Sequence, residues 1–329
     1  MGAGSRRDVC PHPESVPVGL IATATIPVFA LIGLGYLCGA RRIMGPAAVE
    51  ALNLFVMYLA LPALIFRSVA DTPFGTLANG HYLLAFGGGV LVAFAVSFVI
   101  DRVRRRDLTT TSIQALASSY PNAGFMGVPL AVAVIGEESL PPIAVSAVIT
   151  VCVLMAASII VIEFDRPDQV PPAILLRGVF GSLAKNPLLV APVIGAAWSL
   201  LARGQALPGA VDTTLSMLGA ASSPCALVTI GLFLSHQRGG GDARTVARII
   251  GLKLLVQPAV TAFLVLAVFP TTTVWAHTAI LLSALPVGTG PFMLAKLYER
   301  DAAVASQVIL LSTMLSLVTV SAVILLFSS

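Results

Sequence analysis

Two proline- and glycine-rich segments interrupt long apolar runs and carry the clearest chemical signal in the sequence. The first reads PNAGFMGVP (Pro121 to Pro129) and the second reads PVGTGP (Pro286 to Pro291). Proline lacks a backbone N–H and glycine weakens a helix, so each segment predicts a break in a helix. A break frees backbone amides and carbonyls, and the helix that restarts after it presents a partial positive charge suited to an anion.

The polar and small residues of these segments are the candidate substrate contacts. Asn122 offers both a donor and an acceptor, and Thr289 is its nearest polar counterpart in the second segment. Asn53 and Gln257 lie in other apolar runs, where a helix–helix hydrogen bond is the alternative role. The predicted substrate-binding residues are Pro121, Asn122, Gly124, Pro129, Pro286, Gly288, Thr289, Gly290, Pro291 and Asn53. Two kinks without a ligand are the alternative, but the matched pair of breaks favours a site.

The composition places these segments in a membrane protein. Of the 329 residues, 57% are hydrophobic and 10% are charged, whereas a soluble domain carries about 25% charged residues. This excludes a soluble enzyme and a nucleic-acid-binding protein, and no Walker A, HExxH or GxSxG motif is present. The four cysteines form no CxxC pair. We therefore predict no enzymatic activity, no catalytic residues, no metal site and no cofactor.

The apolar runs predict ten transmembrane helices, each of which needs about 20 residues to cross a bilayer. The predicted spans are Val18–Cys38, Ala47–Ala70, His81–Ile100, Thr109–Ile135, Pro141–Ile162, Asn186–Ala202, Gly209–Ser235, Val246–Phe269, Trp275–Tyr298 and Ala302–Phe327. The predicted organisation is a polar tail (1–17), a first five-helix repeat (18–163), a short cytoplasmic linker (164–185) and a second five-helix repeat (186–329). Each break falls in the fourth span of its half.

The basic residues sort to one side of this topology. On the predicted topology, 15 of the 19 Lys and Arg residues lie on one side of the membrane. The opposite side carries the other four, Arg6, Arg7, Arg67 and Arg203. Since cytoplasmic loops are enriched in Lys and Arg, we predict a multi-pass protein of the cell membrane, inner or plasma, with both termini outside the cytoplasm. An odd number of helices per half makes an internal repeat an inverted one, a common transporter plan.

Ionisable side chains are scarce inside the predicted spans. We expect Glu50, Asp212, Lys253 and His277 to reach the membrane surface or to cap helix ends, whereas Arg67 lies deeper. Neither break contains an acidic residue of the kind that usually couples transport to an ion. A coupling ion, H+ or Na+, is therefore left open.

The first predicted span carries closely spaced glycines. GLGYLCG (Gly33 to Gly39) has three residues where a dinucleotide-binding motif has two. We interpret it as a surface for close helix packing, because small residues let helix backbones approach each other.

Several segments, in their order and spacing, resemble the auxin efflux carrier (AEC) family. The bacterial members of that family include malonate- or malate-permease-like proteins. The family's fold is related to that of the bile acid:sodium symporters. The resemblance extends from about Ile26 to Leu326 and rests on LNLFVMYLALPALIF, PNAGFMGVPLAVAVIGEE, KNPLLVAPVIG, SPCALVTIGLFL, KLLVQP and the run from Ala284 to Leu317. It implies an all-α integral membrane protein with ten transmembrane helices in two inverted five-helix repeats and with broken, crossing helices 4 and 9. It also implies an elevator movement of helices 3 to 5 and 8 to 10, and a homodimer contact through helices 1, 2, 6 and 7.

Together, the breaks and the resemblance predict a secondary transporter that moves a small organic anion, a carboxylate, across the lipid bilayer by elevator-type alternating access. By similarity Asn122 matches a substrate-contacting asparagine of the first crossover, whereas Val287 stands where plant auxin carriers have a second one. A sodium-coupled symporter of bile-acid-like anions is the alternative. A non-transporting membrane sensor or partner subunit is an alternative of another class.

Overall fold

The apolar runs fold as helices because a chain in lipid must satisfy its backbone hydrogen bonds internally. The computed structural model describes residues 16–77, 79–163, 181, 187–202, 205–236 and 241–328. Most of the predicted tail and linker therefore lies outside the described residues. The same is true of Cys10 and of seven basic residues, Arg6, Arg7, Arg166, Arg177, Lys185, Arg203 and Arg238.

The helices follow the predicted spans closely. In chain order they are α1 (Val16–Ala40), α2 (Pro46–Ala70), α3 (Gly80–Val103), α4 (Leu108–Ala117), α5 (Ala123–Val134), α6 (Glu137–Glu163), α7 (Pro187–Leu201), α8 (Gly209–Ser235), α9 (Ala243–Val268), α10 (Thr273–Ser283), α11 (Gly290–Leu297) and α12 (Ala303–Ser328). A further turn of helix covers Phe74–Leu77. The predicted spans Thr109–Ile135 and Trp275–Tyr298 are each divided into two helices at their proline-rich segments.

Six of these helices, α2, α3, α6, α8, α9 and α12, are long and apolar enough to cross a membrane. Shorter apolar helices cover Ile26–Ala40, α5, Val190–Leu201 and α10. No β-strand occurs among the described residues, where one isolated antiparallel bridge pairs Pro121 with Val287. The predicted class, an all-α protein with several membrane-crossing helices, is confirmed at this level.

Short polar side chains set the first residues of several helices. Asn79 accepts a hydrogen bond from the backbone N–H of Tyr82 at the start of α3, at 3.0 Å. Asp107 accepts one from Thr110 at the start of α4, at 2.9 Å. Asp242 does the same with Thr245 at the start of α9. These caps satisfy amides that have no partner within the first turn of a helix.

Glycines bring two pairs of helices into backbone contact. Gly35 of α1 lies against the backbone of Val228 in α8, where a Cβ atom on Gly35 would approach the Val228 Cα atom to 3.0 Å. Gly195 of α7 lies against α2, where a Cβ atom would approach the carbonyl oxygen of Phe66 to 2.9 Å. The interpretation of the first-span glycines as a packing surface is confirmed at Gly35, whereas Gly33 faces open space.

An ion pair links α2 to α8. The Nε atom of Arg67 donates to the Oδ1 atom of Asp212 at 2.5 Å, with both side chains about one third exposed. The deep Arg67 and the shallow Asp212 therefore pair with each other, because the two helices bring their side chains together across 145 positions of sequence.

A buried charged cluster ties α3, α4 and α9 together at one end of the molecule. Asp101 is fully buried and accepts a hydrogen bond from the Nη2 atom of Arg248 at 2.8 Å. The same Nη2 atom donates to the Oε1 atom of Gln114 at 2.9 Å. The Nε atom of Arg106 lies 3.5 Å from the other carboxylate oxygen of Asp101. We call these four residues, Asp101, Arg106, Gln114 and Arg248, the charged cluster.

Candidate functional site

The two helix breaks meet and pair with each other. The first break lies between α4 and α5 (residues 118–122) and the second lies between α10 and α11 (residues 284–289). The backbone N–H of Asn122 donates to the carbonyl of Pro286 at 2.9 Å, and the N–H of Gly288 donates to the carbonyl of Tyr120 at 3.0 Å. The breaks therefore form a short antiparallel pair, which we call the crossover.

Side chains from the surrounding helices satisfy other backbone groups of the crossover. The Val287 N–H donates to the hydroxyl of Ser312 in α12 at 3.1 Å. The Thr319 hydroxyl donates to the carbonyl of Ala284 at 3.3 Å. Unsatisfied backbone groups are costly in a bilayer, so irregular backbone at this depth has to be enclosed by protein or line a cavity. The crossover meets this requirement within the protein.

The structure brings the predicted residues of the two segments to the crossover or into the helix turns that follow it. Asn122 is buried, with 8% of its surface exposed, and its side chain makes no hydrogen bond within the described part of the chain. Thr289 is half-buried and precedes the first residue of α11. The remaining predicted residues of these segments are buried, except for the half-buried Gly124, and comprise Pro121, Pro129, Pro286, Gly288, Gly290 and Pro291.

Asn53 lies apart from this group. It is half-buried in the first part of α2, eight positions before Leu61. Leu61 is an α2 residue that contacts the first segment, since its Cδ1 atom would lie 3.5 Å from a Cβ atom on Gly124. Eight helical residues span about 12 Å, so the Asn53 backbone lies about two turns away along α2.

Tyr120 is a residue that the sequence analysis missed. Its ring packs against both glycines of the second break, where a Cβ atom would approach the ring to 3.0 Å at Gly288 and to 2.8 Å at Gly290. These glycines therefore let an aromatic ring lie directly on the opposing backbone. In the sequence, the position of Tyr120 directly before Pro121 is the feature that could have indicated this contact.

Lys253 lies deeper than the sequence indicated. Of its two expected roles, reaching the membrane surface is wrong, because Lys253 is fully buried. The other role, capping a helix end, agrees with the structure, since its Nζ atom donates to the carbonyl of Ser283, the last residue of α10, at 2.7 Å. It lies ten residues into α9, about 15 Å along a helix and hence near the middle of a 30 Å hydrocarbon layer. The Ser283 carbonyl ends α10 and has lost its helical partner at the break.

The hydrogen bond from Lys253 to the Ser283 carbonyl does not by itself compensate for the free energy of burying the ammonium charge. A cation at a helix C-terminus contributes about 0.3–1 kcal/mol, whereas the burial of an ammonium without a counter-charge costs several kcal/mol. Gln257 lies one turn further along α9, is also fully buried, and has no hydrogen-bond partner for either side-chain atom in the described structure. The spacing of Lys253 and Gln257 by four residues was the sequence signal for one buried polar face.

A cavity approaches the crossover from the end that carries the charged cluster. Its volume is about 300 Å³, and it extends along α4 from Arg106 to Ala117, the last residue before the first break. Arg106 and Arg300 both line it, together with Asp301. Each of these arginines also lies near a carboxylate, Arg106 near Asp101 and Arg300 near Asp107, so the wall of the cavity carries charges of both signs.

The carboxyl group of Asp107, in the loop beside this cavity, ionises more readily than an ordinary aspartate. Partial burial of Asp107 opposes its ionisation, but hydrogen bonds from Thr110 and the charge of Arg300 outweigh that effect and lower the pKa of this carboxyl group. The carboxylate pairs with Arg300 at 3.5 Å, and both side chains are nearly half exposed. Arg106, the other cavity arginine, lies near Asp101 of the charged cluster and donates a hydrogen bond to the hydroxyl of Thr245 at 3.1 Å.

Comparison with known proteins assigns the chain to a family. It matches the family described as "Membrane transport protein" over residues 20–173 and 170–324. It is 32% identical over 318 residues to a Rhizobium meliloti protein named "Putative malonate transporter", covering 94% of this chain and 96% of that protein. It is 28% identical to the "Uncharacterized transporter YfdV" of Escherichia coli, covering 71% of this chain and 74% of that protein. It is 32% identical to "Auxin efflux carrier component 3a" of Oryza sativa over 45% of this chain and 25% of that protein.

The helical fold and these matches define a multi-pass membrane transporter. The chain belongs to the membrane transport protein family that includes the auxin efflux carriers, which confirms the resemblance. The same matches confirm the prediction that the protein is a transporter and not an enzyme.

Proposed function

We propose that this protein is a secondary transporter that carries a small organic carboxylate through the crossover by alternating access. The observation that carries the proposal is the backbone pairing of the two breaks at Asn122 and Pro286. It places an uncommitted amide side chain, that of Asn122, beside the first residues of α5, where free N–H groups favour an anion. The cavity that ends at Ala117 supplies an approach from one side.

The helices support a ten-span topology if α4 with α5, and α10 with α11, each form one broken span. Five spans then lie on each side of the linker, and the halves enter the membrane from opposite sides as inverted repeats. Two loop contacts agree with this arrangement: Arg300 lies near Asp107 at one end, and Asn79 donates to Thr271 at 2.8 Å at the other. The distribution of Lys and Arg supports an orientation with both termini outside the cytoplasm.

The proposed movement is an elevator, in which α3 to α6 and α9 to α12 slide as a unit against α1, α2, α7 and α8. Support comes from the close backbone contacts of Gly35 with Val228 and of Gly195 with Phe66, which make the second group suited to a rigid scaffold. The homodimer through this scaffold stays a prediction.

Malonate is the first compound to test, because it appears in the name of a relative that covers almost the whole chain. The proposed substrate class is wider and comprises small mono- and dicarboxylates. A coupling ion, H+ or Na+, is left open, since neither break contains an acidic side chain.

Removal of the Asn122 amide is expected to impair transport. A hydrogen bond to a charged carboxylate contributes roughly 1.5–3 kcal/mol, so Asn122→Ala should lower kcat/KM for malonate about 10- to 100-fold. The measurement is the uptake of radiolabelled malonate into liposomes that contain the purified protein. Saturable uptake with unaltered kinetics in this variant would contradict the assigned site.

Asn53→Ala is the matched control because it removes the same amide from a position farther from the crossover. We expect a change of less than about threefold in kcat/KM, since no described contact links Asn53 to the breaks. An equal loss of uptake in both variants would contradict the assigned site, because the loss would then not depend on distance from the crossover.

A further inference from the structure

We propose that Lys253 and Gln257 form the part of the substrate site that binds the carboxylate group. This inference rests on the proposed function and adds a positively charged subsite behind the second break. Both residues are fully buried on one face of α9 and are separated by one helical turn. Neither belongs to the segments that the sequence analysis selected for substrate binding.

The position of Lys253 connects this subsite to the crossover. Its Nζ atom bonds to the carbonyl of Ser283, and the second break begins at the next residue. Three positions after Ser283, the carbonyl of Pro286 accepts the backbone N–H of Asn122. The second break is therefore contacted by Lys253 at its start and by Asn122 at its centre.

The hydrogen-bonding groups of the pair are incompletely used. An ammonium group has three N–H donors, and one of those of Lys253 is accounted for among the described residues. The Nε2 and Oε1 atoms of Gln257 are buried without partners there. Buried polar groups in proteins are normally hydrogen-bonded, so this pair points to a ligand that supplies acceptors.

The required ligand also has to supply negative charge. Among α3, α4, α9, α10 and α12, which surround this face, the acidic side chain is Asp101, and it already pairs with Arg248. Lys253 makes no ion pair in the described structure. A carboxylate fits both needs, because it accepts hydrogen bonds at two oxygens and neutralises an ammonium.

The competing explanation is that Lys253 only caps the broken end of α10. The two explanations differ in their effect on stability. A capping lysine stabilises the empty protein, so its replacement lowers Tm. A lysine held for a ligand destabilises the empty protein, so Lys253→Met should leave Tm unchanged or raise it.

The test compares Lys253→Met with Lys296→Met, which removes the same charge from an exposed lysine of α11. Uptake of radiolabelled malonate and the malonate-induced rise in Tm are measured for each variant. We expect Lys253→Met to lower kcat/KM about 30-fold and to abolish the rise in Tm, and Lys296→Met to stay within about twofold of wild type. Lys253→Met with wild-type kinetics, or with a lower Tm and an intact malonate response, would overturn the proposal.

Gln257→Leu keeps the proposal testable if Lys253→Met does not fold. It fills the same space without polar atoms and should raise KM for malonate at least about fivefold. An unchanged KM would overturn the proposal.

If wild type transports none of a panel of small carboxylates, the proposed function fails and this inference fails with it. If wild type and Asn122→Ala behave as expected but the Lys253 and Gln257 variants match wild type, only this inference fails.

Discussion

Gly35→Leu is expected to prevent the protein from folding, whereas Gly33→Leu, two residues earlier on α1, is expected to be tolerated. A Cβ atom at Gly35 would lie 2.9 Å from the carbonyl carbon and 3.0 Å from the Cα atom of Val228. These are backbone atoms of α8, so no side-chain rotation can relieve the clash. The α1 and α8 axes would have to separate.

The interface between α1 and α8 is also closely packed at Gly231 of α8. A Cβ atom at Gly231 would lie 2.6 Å from the backbone nitrogen of Tyr36 and 2.9 Å from the Cα atom of Gly35. Overpacking of a core usually costs about 1–3 kcal/mol, and a clash between two backbones belongs at or above the upper end of that range. Gly33 has no atom within 4 Å of its Cβ position, so a leucine there meets open space.

The measurement is the yield of monodisperse protein in detergent together with its Tm. Gly35→Leu should give aggregated protein or a Tm lowered by many degrees, and Gly33→Leu should match wild type. A folded Gly35→Leu protein with wild-type Tm would contradict the described packing of α1 against α8. It would also remove the support for a rigid scaffold.

Arg248→Met is expected to produce the second large effect, a loss of about 3–5 kcal/mol in the free energy of unfolding. The loss arises because Asp101 is fully buried and Arg248 is its closest cation, at 2.8 Å. The removal of one partner from a buried ion pair leaves an uncompensated charge, which costs about that amount. Arg106, at 3.5 Å, compensates only in part.

Two controls define this effect. Arg300→Met removes an exposed arginine that pairs with Asp107, and such exposed pairs contribute about 0–1 kcal/mol. The double variant Asp101→Leu with Arg248→Met removes both buried charges and should regain much of the lost stability. Unfolding in a denaturing detergent gives the comparison. A double variant less stable than Arg248→Met alone would contradict the proposed pairing energy.

The sequence by itself determined the class of protein, the helices and the two breaks. These features depend on local chemistry, since apolar runs must form helices in lipid and proline removes a backbone donor wherever it stands. Asn122 could be selected in the same way, because it is the amide within a break. The helix bounds of the structure therefore differ from the predicted spans mainly where those prolines divide them.

The tertiary structure decided which distant residues meet and how deeply each charge lies. The Asp101–Arg248 pair spans 147 positions, and the Arg67–Asp212 pair spans 145. Hydropathy treated Lys253 as a residue near a span end, but α9 begins earlier than predicted and its neighbours enclose the side chain completely. Helix packing brings such groups together across the chain, and the depth of a charge depends on the helices around it, which no local pattern specifies.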